Sequence, residues 1–251
     1  MNAVLITARG NNQSIPGKNL LPICGKPCLQ WVIEAAQAAK KIESIYLSTE
    51  DPDIAALGKA LGCSLIDRPM DLAQPDTHHG DVIRHGVKHI QNHQPDLNCV
   101  TVLLGNTTMI SGSLIDLSLE ILEKQKEYDG VMSVWQAQDD HPYRALSLDE
   151  QGCLKSFLNV TSGTSRQYYP PVYFYDQGVW TVRARSVALG EGPNPWTWMG
   201  KKVFPIIREW IAGRDVHTAF DVELQEYWLR NDYRDEVLNK NEIMGLGVSK
   251  F

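Results

Sequence analysis

The sequence predicts an α/β domain built on a doubly wound, mostly parallel, Rossmann-like sheet. Three observations carry that expectation. Short apolar runs alternate with stretches of helical periodicity over most of the chain. One run, Cys99 to Leu104 (CVTVLL), is apolar almost throughout, as a strand buried on both faces must be. The 251 residues suffice for one large domain with a sizeable core.

The elements follow in order. Ala3 to Thr7 reads as a buried strand feeding a loop that runs from Arg9 to about Asn19 and is rich in Gly, Asn, Ser and Pro. Leu29, Val32, Ile33 and Ala36 recur at helical spacing within 29–39. Ser44 to Ser48 is a second strand, and Pro52 to Leu61 a helix with Asp51 as N-cap and Gly62 as its stop. A strand at 64–66, a loop at 68–77 and a helix from about Gly80 to His93 come next. After Cys99–Leu104 a helix is expected over 113–124 and a strand over 130–135.

From about Gln138 to Gly200 prolines, aromatics and short strand-like runs (ALSL, CLKSFL, VYFY, GVWTV) replace this rhythm. The segment reads as a partly antiparallel excursion from a single domain covering 1–251, acting as a lid or dimerisation arm. The rhythm returns at Val203–Ile207 and in a helix from about Asp221 to Arg230.

Composition narrows the function. Hydrophobic residues make up 43% and charged residues 22%, the balance of a soluble enzyme. A net charge of −6 without a Lys/Arg block lacks the footprint of a nucleic-acid binder. The five scattered cysteines fit a reducing compartment, and the apolar run in MNAVLITARG is too short for a signal peptide or a membrane span. A cytoplasmic protein with no membrane partner is expected.

In such sheets ligands sit where loops leave the carboxyl ends of strands. The first loop, Ala8-Arg9-Gly10-Asn11-Asn12-Gln13-Ser14-Ile15-Pro16-Gly17-Lys18-Asn19, combines two cations with turn-forming glycines, the means of neutralising a triphosphate. It is neither a Walker A loop nor G-x-G-x-x-G.

The string ARGNNQSIPGKNLLPICGKP resembles the start of the CMP-sialic acid synthetases, or acylneuraminate cytidylyltransferases, which run approximately ARGGSKGIPGKN followed by GKP. STEDPDIA and DRPMDLAQPDT resemble later segments of that family in the same order, so the similarity is collinear along roughly the whole chain. It implies a Mg²⁺-dependent homodimer that joins an acidic sugar to CMP from CTP. Arg9 and Lys18 would hold the triphosphate, with Ala8, the amides of Gly10 to Ser14, Arg68 and Asn106 around the nucleotide. Asn106, Thr107, Arg166, Gln167 and Gln177 would face the sugar, with the excursion placed near a sugar pocket.

The sequence departs from the pattern at three places. A lysine usual in the loop is replaced near Gln13. The segment Leu104-Gly105-Asn106-Thr107-Thr108 lacks the sialic acid enzymes' Gln and Arg and is closer to the QGDEPLI of the CMP-Kdo synthetases, with Asn106 where a magnesium-binding Asp stands. Near the C-terminus, Asp215, His217 and Asp221 fall on the metal motif with His217 replacing its second Asp, and a competing register uses Asp221-Val222-Glu223. A different acceptor, such as a sugar 1-phosphate or a phosphonate, and a catalytically weakened nucleotide-binding homologue stay open as alternatives.

Other features read as structural. His85, His89 and His93 form a helix stripe that no carboxylate or cysteine completes, and His78-His79 reads as loop. The aromatic cluster of Tyr168, Tyr169, Tyr173, Phe174, Tyr175, Trp180, Trp196 and Trp198 reads as an oligomer contact or satellite core.

Overall fold

In the computed structural model, which describes residues 1–10, 15–160, 163 and 165–245, the apolar runs form a seven-stranded sheet. Strands β1 (Asn2–Thr7), β4 (Ser44–Thr49), β5 (Ser64–Asp67), β6 (Cys99–Leu104), β7 (Gly130–Gln136), β10 (Tyr173–Arg183) and β11 (Val203–Arg208) are arranged in the order β11-β7-β10-β6-β1-β4-β5. Every pairing is parallel except those of β10, which runs antiparallel between β6 and β7. Two small hairpins lie apart from it: β2 (Pro22–Ile23) with β3 (Lys26–Pro27), and β8 (Leu146–Leu148) with β9 (Leu154–Ser156).

Helices cover both faces. Apolar stripes of α1 (Cys28–Ala38), α2 (Pro52–Ala60) and α4 (Gly112–Lys124) pack with Val4, Ile6, Leu47 and Leu103 on one side. Ile83, Val87 and Ile90 of α3 (His79–His93) pack on Leu5, Val100 and Val102 on the other. Alternate residues of each strand thus enter separate cores, as the pleat requires. The chain is completed by α5 (Ala219–Asn231) and α6 (Lys240–Gly245). Among the described residues no helix is long and apolar enough to cross a membrane.

The expected elements are present within a residue or two, and the doubly wound, mostly parallel sheet is as predicted. The excursion is not one unit. The runs VYFY and GVWTV, expected within 138–200, form β10, a central strand of the main sheet. What leaves the sheet is the stretch between β7 and β10, with the β8–β9 hairpin exposing Leu146, Leu148, Leu154 and Phe157. Period-2 patterning cannot distinguish a strand that returns to the parent sheet from one that stays outside it. The aromatic cluster divides accordingly. Trp180 and Trp198 are core residues, whereas Tyr168, Tyr173 and Tyr175 are exposed.

Where β10 inserts, its register with β7 shifts between Tyr175 and Trp180. Asp176 occupies this irregularity, fully buried. It accepts from Ser133 Oγ of β7 and from Gly178 N (2.8 Å), and pairs with Arg208 Nη1 at 3.3 Å. Arg208, also fully buried, donates through Nη2 to Met109 O (2.8 Å) and Arg234 O (3.1 Å). Removing one partner of a buried pair strands the other charge. Arg208→Ala is expected to cost ~3–5 kcal/mol of folding stability, read from urea unfolding midpoints. A loss within ~1 kcal/mol would show that the pair is dispensable.

Candidate active site

The chain runs from β1 outward to β4 and β5, then returns to place β6 on the opposite side of β1. The carboxyl ends of β1 and β6 therefore form the topological switch point, where open α/β sheets leave a crevice. Thr7 and Leu104, paired in register, end these two strands, and both line a cavity of about 280 Å³.

Arg9, Lys18, Asn19, Arg68, Asn106 and Asp215 also line it. Five residues that the sequence singled out thus converge: Arg9, Lys18, Arg68, Asn106 and Asp215. Arg9 is anchored through Nη1 on Gln74 O (2.8 Å), while its own carbonyl accepts from the buried Asn19 Nδ2 at 2.8 Å. Lys18 Nζ donates to Val216 O (3.2 Å) and lies 4.0 Å from Asp215 Oδ2. Burial pushes the Lys18 pKa down and the neighbouring Arg9 adds to this, opposed by Asp215 and Asp221. Its ammonium is therefore poorly satisfied and gains from an incoming anion.

Arg68 is integrated into the protein. It bonds Ser48 Oγ (3.2 Å) and Ser48 O (2.7 Å) and faces Glu50 Oε2 at 3.6 Å. Burial, then Arg9, pull its pKa down to about 10 against the attraction of Glu50, so it remains charged at neutral pH. The Gly10 amide donates to Glu50 Oε1 at 2.8 Å, and a Cβ there would lie 2.2 Å from Asp51 Oδ2, so only glycine fits this approach. Ala8 is buried and lines neither this cavity nor its larger neighbour. Asn11, Asn12, Gln13 and Ser14 lie outside the described residues.

The neighbouring cavity, of about 600 Å³, is lined by Trp135, Phe174, Tyr175, Trp210 and Arg214, with Gln177, Asp139, Asp140 and His217. Asp215 belongs to both walls. It is nearly buried, accepting from Asn106 Nδ2 at 2.7 Å through Oδ2, while its Oδ1 lies 2.8 Å from His217 Nε2. Trp135 and Phe174 stack at 4.7 Å between ring centroids, giving this cavity a flat apolar wall. Gln167 lines a smaller cavity of about 200 Å³ with His141 and Gln138, the latter shared with the large one. The Arg166 side chain lies outside the described residues. Thr107 is fully buried and lines neither large cavity.

Asp221 also stays off both walls, because it caps α5. Its Oδ2 accepts from His217 N (3.0 Å), Thr218 N (2.7 Å) and Thr218 Oγ1 (2.9 Å), while Thr218 Oγ1 accepts from Asp221 N. This is a complete capping box. Among the described residues no three His, Cys, Asp or Glu side chains gather as a metal cluster. Mg²⁺ is commonly held by one or two carboxylates together with substrate phosphates. Asp215, a carboxylate facing the cation-lined cavity, fits that pattern.

Sequence reasoning missed Arg214, Trp135, Trp210 and His79. The last was read as loop, yet it opens α3 and lines the smaller of the two large cavities. The signal available was its position beside DRPMDLAQPDT, a segment already tied to the nucleotide side.

A sequence profile described as Cytidylyltransferase matches residues 3–150. The chain is 33% identical over 197 residues to an 8-amino-3,8-dideoxy-manno-octulosonate cytidylyltransferase of Shewanella sp. (strain W3-18-1), covering 74% of this chain and 77% of that one. It is 37% identical over 111 residues to the 3-deoxy-manno-octulosonate cytidylyltransferase of Synechococcus elongatus, and 30% identical over 159 residues to N-acylneuraminate cytidylyltransferase A of Danio rerio. The matches span 44% and 63% of this chain but only 42% and 35% of those relatives. In fold it is similar to a CMP:2-keto-3-deoxy-manno-octonic acid synthetase complexed with CTP (TM-score 0.66, 16% identity, covering 92% of this chain and 99% of that one).

The capping box yields a test. Burial raises the Asp221 pKa, but the hydrogen bonds from Thr218 and the His217 amide, aided by Arg214, outweigh it and hold the carboxyl below its ordinary value of 3.8. A depressed pKa stabilises the fold above the unfolded value, and that contribution is lost as pH falls through the folded one. Asp221→Asn is expected to cost ~1 kcal/mol at pH 7. The gap to wild type should close as urea unfolding is measured from pH 4 downward, whereas a constant gap would contradict the capping role.

Proposed function

This chain belongs to the cytidylyltransferase family, and on that premise we propose that it joins an acidic sugar to CMP, consuming CTP and releasing pyrophosphate. The observation that carries this reading is the pair of adjoining cavities meeting at Asp215. One is lined by Arg9, Lys18 and Arg68, and the other by an aromatic wall with Arg214. The names of the relatives support the acceptor class, since octulosonates and neuraminates are both sugar acids.

The triphosphate occupies the cation-lined cavity, where Lys18 and Arg9 neutralise it and fix its path. The acceptor lies against Trp135 and Phe174, with its carboxylate toward Arg214 and its polar groups toward Gln177. Arg166 and Gln167 belong to the acceptor side in this reading, and the loop 11–14 to the phosphate side. The acceptor hydroxyl oxygen attacks the α-phosphorus as the bond to the bridging oxygen breaks; pyrophosphate departs with that electron pair, and the hydroxyl proton passes to solvent. Holding both reactants across one carboxylate turns the encounter into an effectively intramolecular step. When bound, Mg²⁺ supplies charge neutralisation and orientation at the phosphates, with Asp215 as its protein carboxylate and His217 fixed beside it.

Pyrophosphate release should appear with CTP and an octulosonate or neuraminate, require divalent metal, and fall at least ~10²-fold in kcat/KM for Lys18→Ala. Turnover indifferent to the acid acceptor, or undiminished in Lys18→Ala, would overturn the assignment.

The same reading includes a cytoplasmic homodimer. All five cysteines are free thiols, in keeping with a reducing compartment. The β8–β9 arm exposes Leu146, Leu148, Leu154 and Phe157, an apolar surface that a symmetric contact would bury. Light scattering should report a dimer for wild type and a monomer for Leu148→Asp combined with Leu154→Asp. A dimer that survives both changes would place the contact elsewhere.

A further inference from the structure

Two backbone segments meet where the cavities adjoin: the loop that follows β6 and the turn that leads into α5. They touch directly at two places. Asn106 Nδ2 donates to Asp215 Oδ2 at 2.7 Å, and Val216 N donates to Asn106 O at 3.2 Å. A third link runs through α5. Gln225 is fully buried; its Oε1 accepts from Thr108 N (3.2 Å) and Thr108 Oγ1 (2.7 Å), and its Nε2 donates to Arg214 O (3.0 Å).

The partners dictate how this amide sits. The Thr108 N–H can only donate and the Arg214 carbonyl can only accept, so Oε1 must face the loop and Nε2 the turn. The Arg214 carbonyl belongs to the planar peptide that joins Arg214 to Asp215. Holding it sets the plane between the cation of the larger cavity and the carboxylate that stands on both walls. One turn earlier on the same face of α5, Asp221 Oδ1 lies 3.3 Å from Arg214 Nη2. Arg214 is thus held at both ends, by Gln225 at its backbone and by Asp221 at its guanidinium. Gln225 itself lines neither cavity.

We propose that Gln225 is a positioning residue, which sets the loop carrying Asn106 against the turn carrying Arg214 and Asp215 and so aligns the acceptor with the nucleotide. The proposal rests on the cytidylyltransferase reading and deepens it. Arg9 and Arg68 take their anchors from Gln74 and Ser48, not from α5, so the hold on the triphosphate is separate from this bridge.

The test uses Gln225→Met, which keeps the length of the side chain and removes the amide. CTP affinity is read by calorimetry, and kcat and acceptor KM are read with CTP and either 3-deoxy-manno-octulosonate or an N-acylneuraminate. The variant should bind CTP within about threefold of wild type, lose about ten- to a hundredfold in kcat and raise the acceptor KM. Thr108→Val, which removes one of the bonds to Oε1, should show a smaller fall of the same kind and serves where Gln225→Met does not fold. Thr108→Ser, which keeps the hydroxyl, should restore activity. Combining Thr108→Val with Gln225→Met should cost little beyond Gln225→Met alone, because both cut one bridge.

A merely structural role would lower the fraction of protein that binds CTP and leave kcat per bound site and acceptor KM unchanged. That result, or a loss of CTP affinity as large as the loss in kcat, overturns the proposal. If wild type binds CTP but turns over neither acid, the proposed reaction is refuted and hydrogen exchange decides the bridge. Exchange at the Val216 amide, which bonds Asn106 rather than Gln225, should then quicken in Gln225→Met, and unchanged protection there overturns the proposal.

Discussion

The ion pair between Asp176 and Arg208 holds together parts of the chain that would otherwise have no common anchor. Arg208 ends β11, Asp176 sits where β10 departs from regular pairing with β7, and the guanidinium also reaches the carbonyl of Met109 beyond β6. Two fully buried charges are expensive to desolvate, and they persist here because hydrogen bonds from Ser133 and Gly178 satisfy the carboxylate. The larger cavity depends on this knot. Tyr175 and Gln177 flank Asp176 and line that cavity. A Cβ on Gly213 would stand 2.2 Å from Asp176 Cβ, so the turn carrying Arg214 and Asp215 lies directly on the pair.

The charges of the smaller cavity, lined by Arg9, Lys18 and Arg68, are arranged by the same economy. Of its three cations, Arg68 is absorbed into bonds with Ser48 and a pairing with Glu50, and Arg9 is tethered by Gln74. Lys18 has the least generous surroundings, a carbonyl at 3.2 Å and a carboxylate at 4.0 Å. A site assembled this way is set before any ligand arrives and spends little on reorganisation when charge develops.

Much of this was legible in the sequence, for reasons that differ between elements. Buried parallel strands such as CVTVLL announce themselves because both faces are covered, and α1 because its apolar residues keep a 3.6 period. The first loop was legible through Arg9, Lys18 and the glycines between them. The place of β10 inside the main sheet was not, because Asp176 and Gln177 interrupt its apolar runs and the partner of Asp176, Arg208, lies 32 positions away. Asp221 shows the opposite difficulty. Its spacing from Asp215 suits a metal motif, but the same Thr-x-x-Asp spacing also closes a helix cap, and only the hydrogen bonds reveal which use the fold makes of it. His79 was hidden by its neighbours, since a His-His pair before a helix carries no periodic signal.

Asp215 stands on both cavity walls, and that position has a thermodynamic corollary. A carboxylate that touches two bound molecules ties their affinities together. Whatever factor one ligand imposes on the binding of the other must be returned in equal measure. Like charges on the two ligands, drawn toward one another across Asp215, would repel, and whatever offsets that repulsion then appears as cooperativity between them. Filled as proposed, the two cavities form a single linked equilibrium, and the sign of that linkage is written in the few ångströms around one side chain.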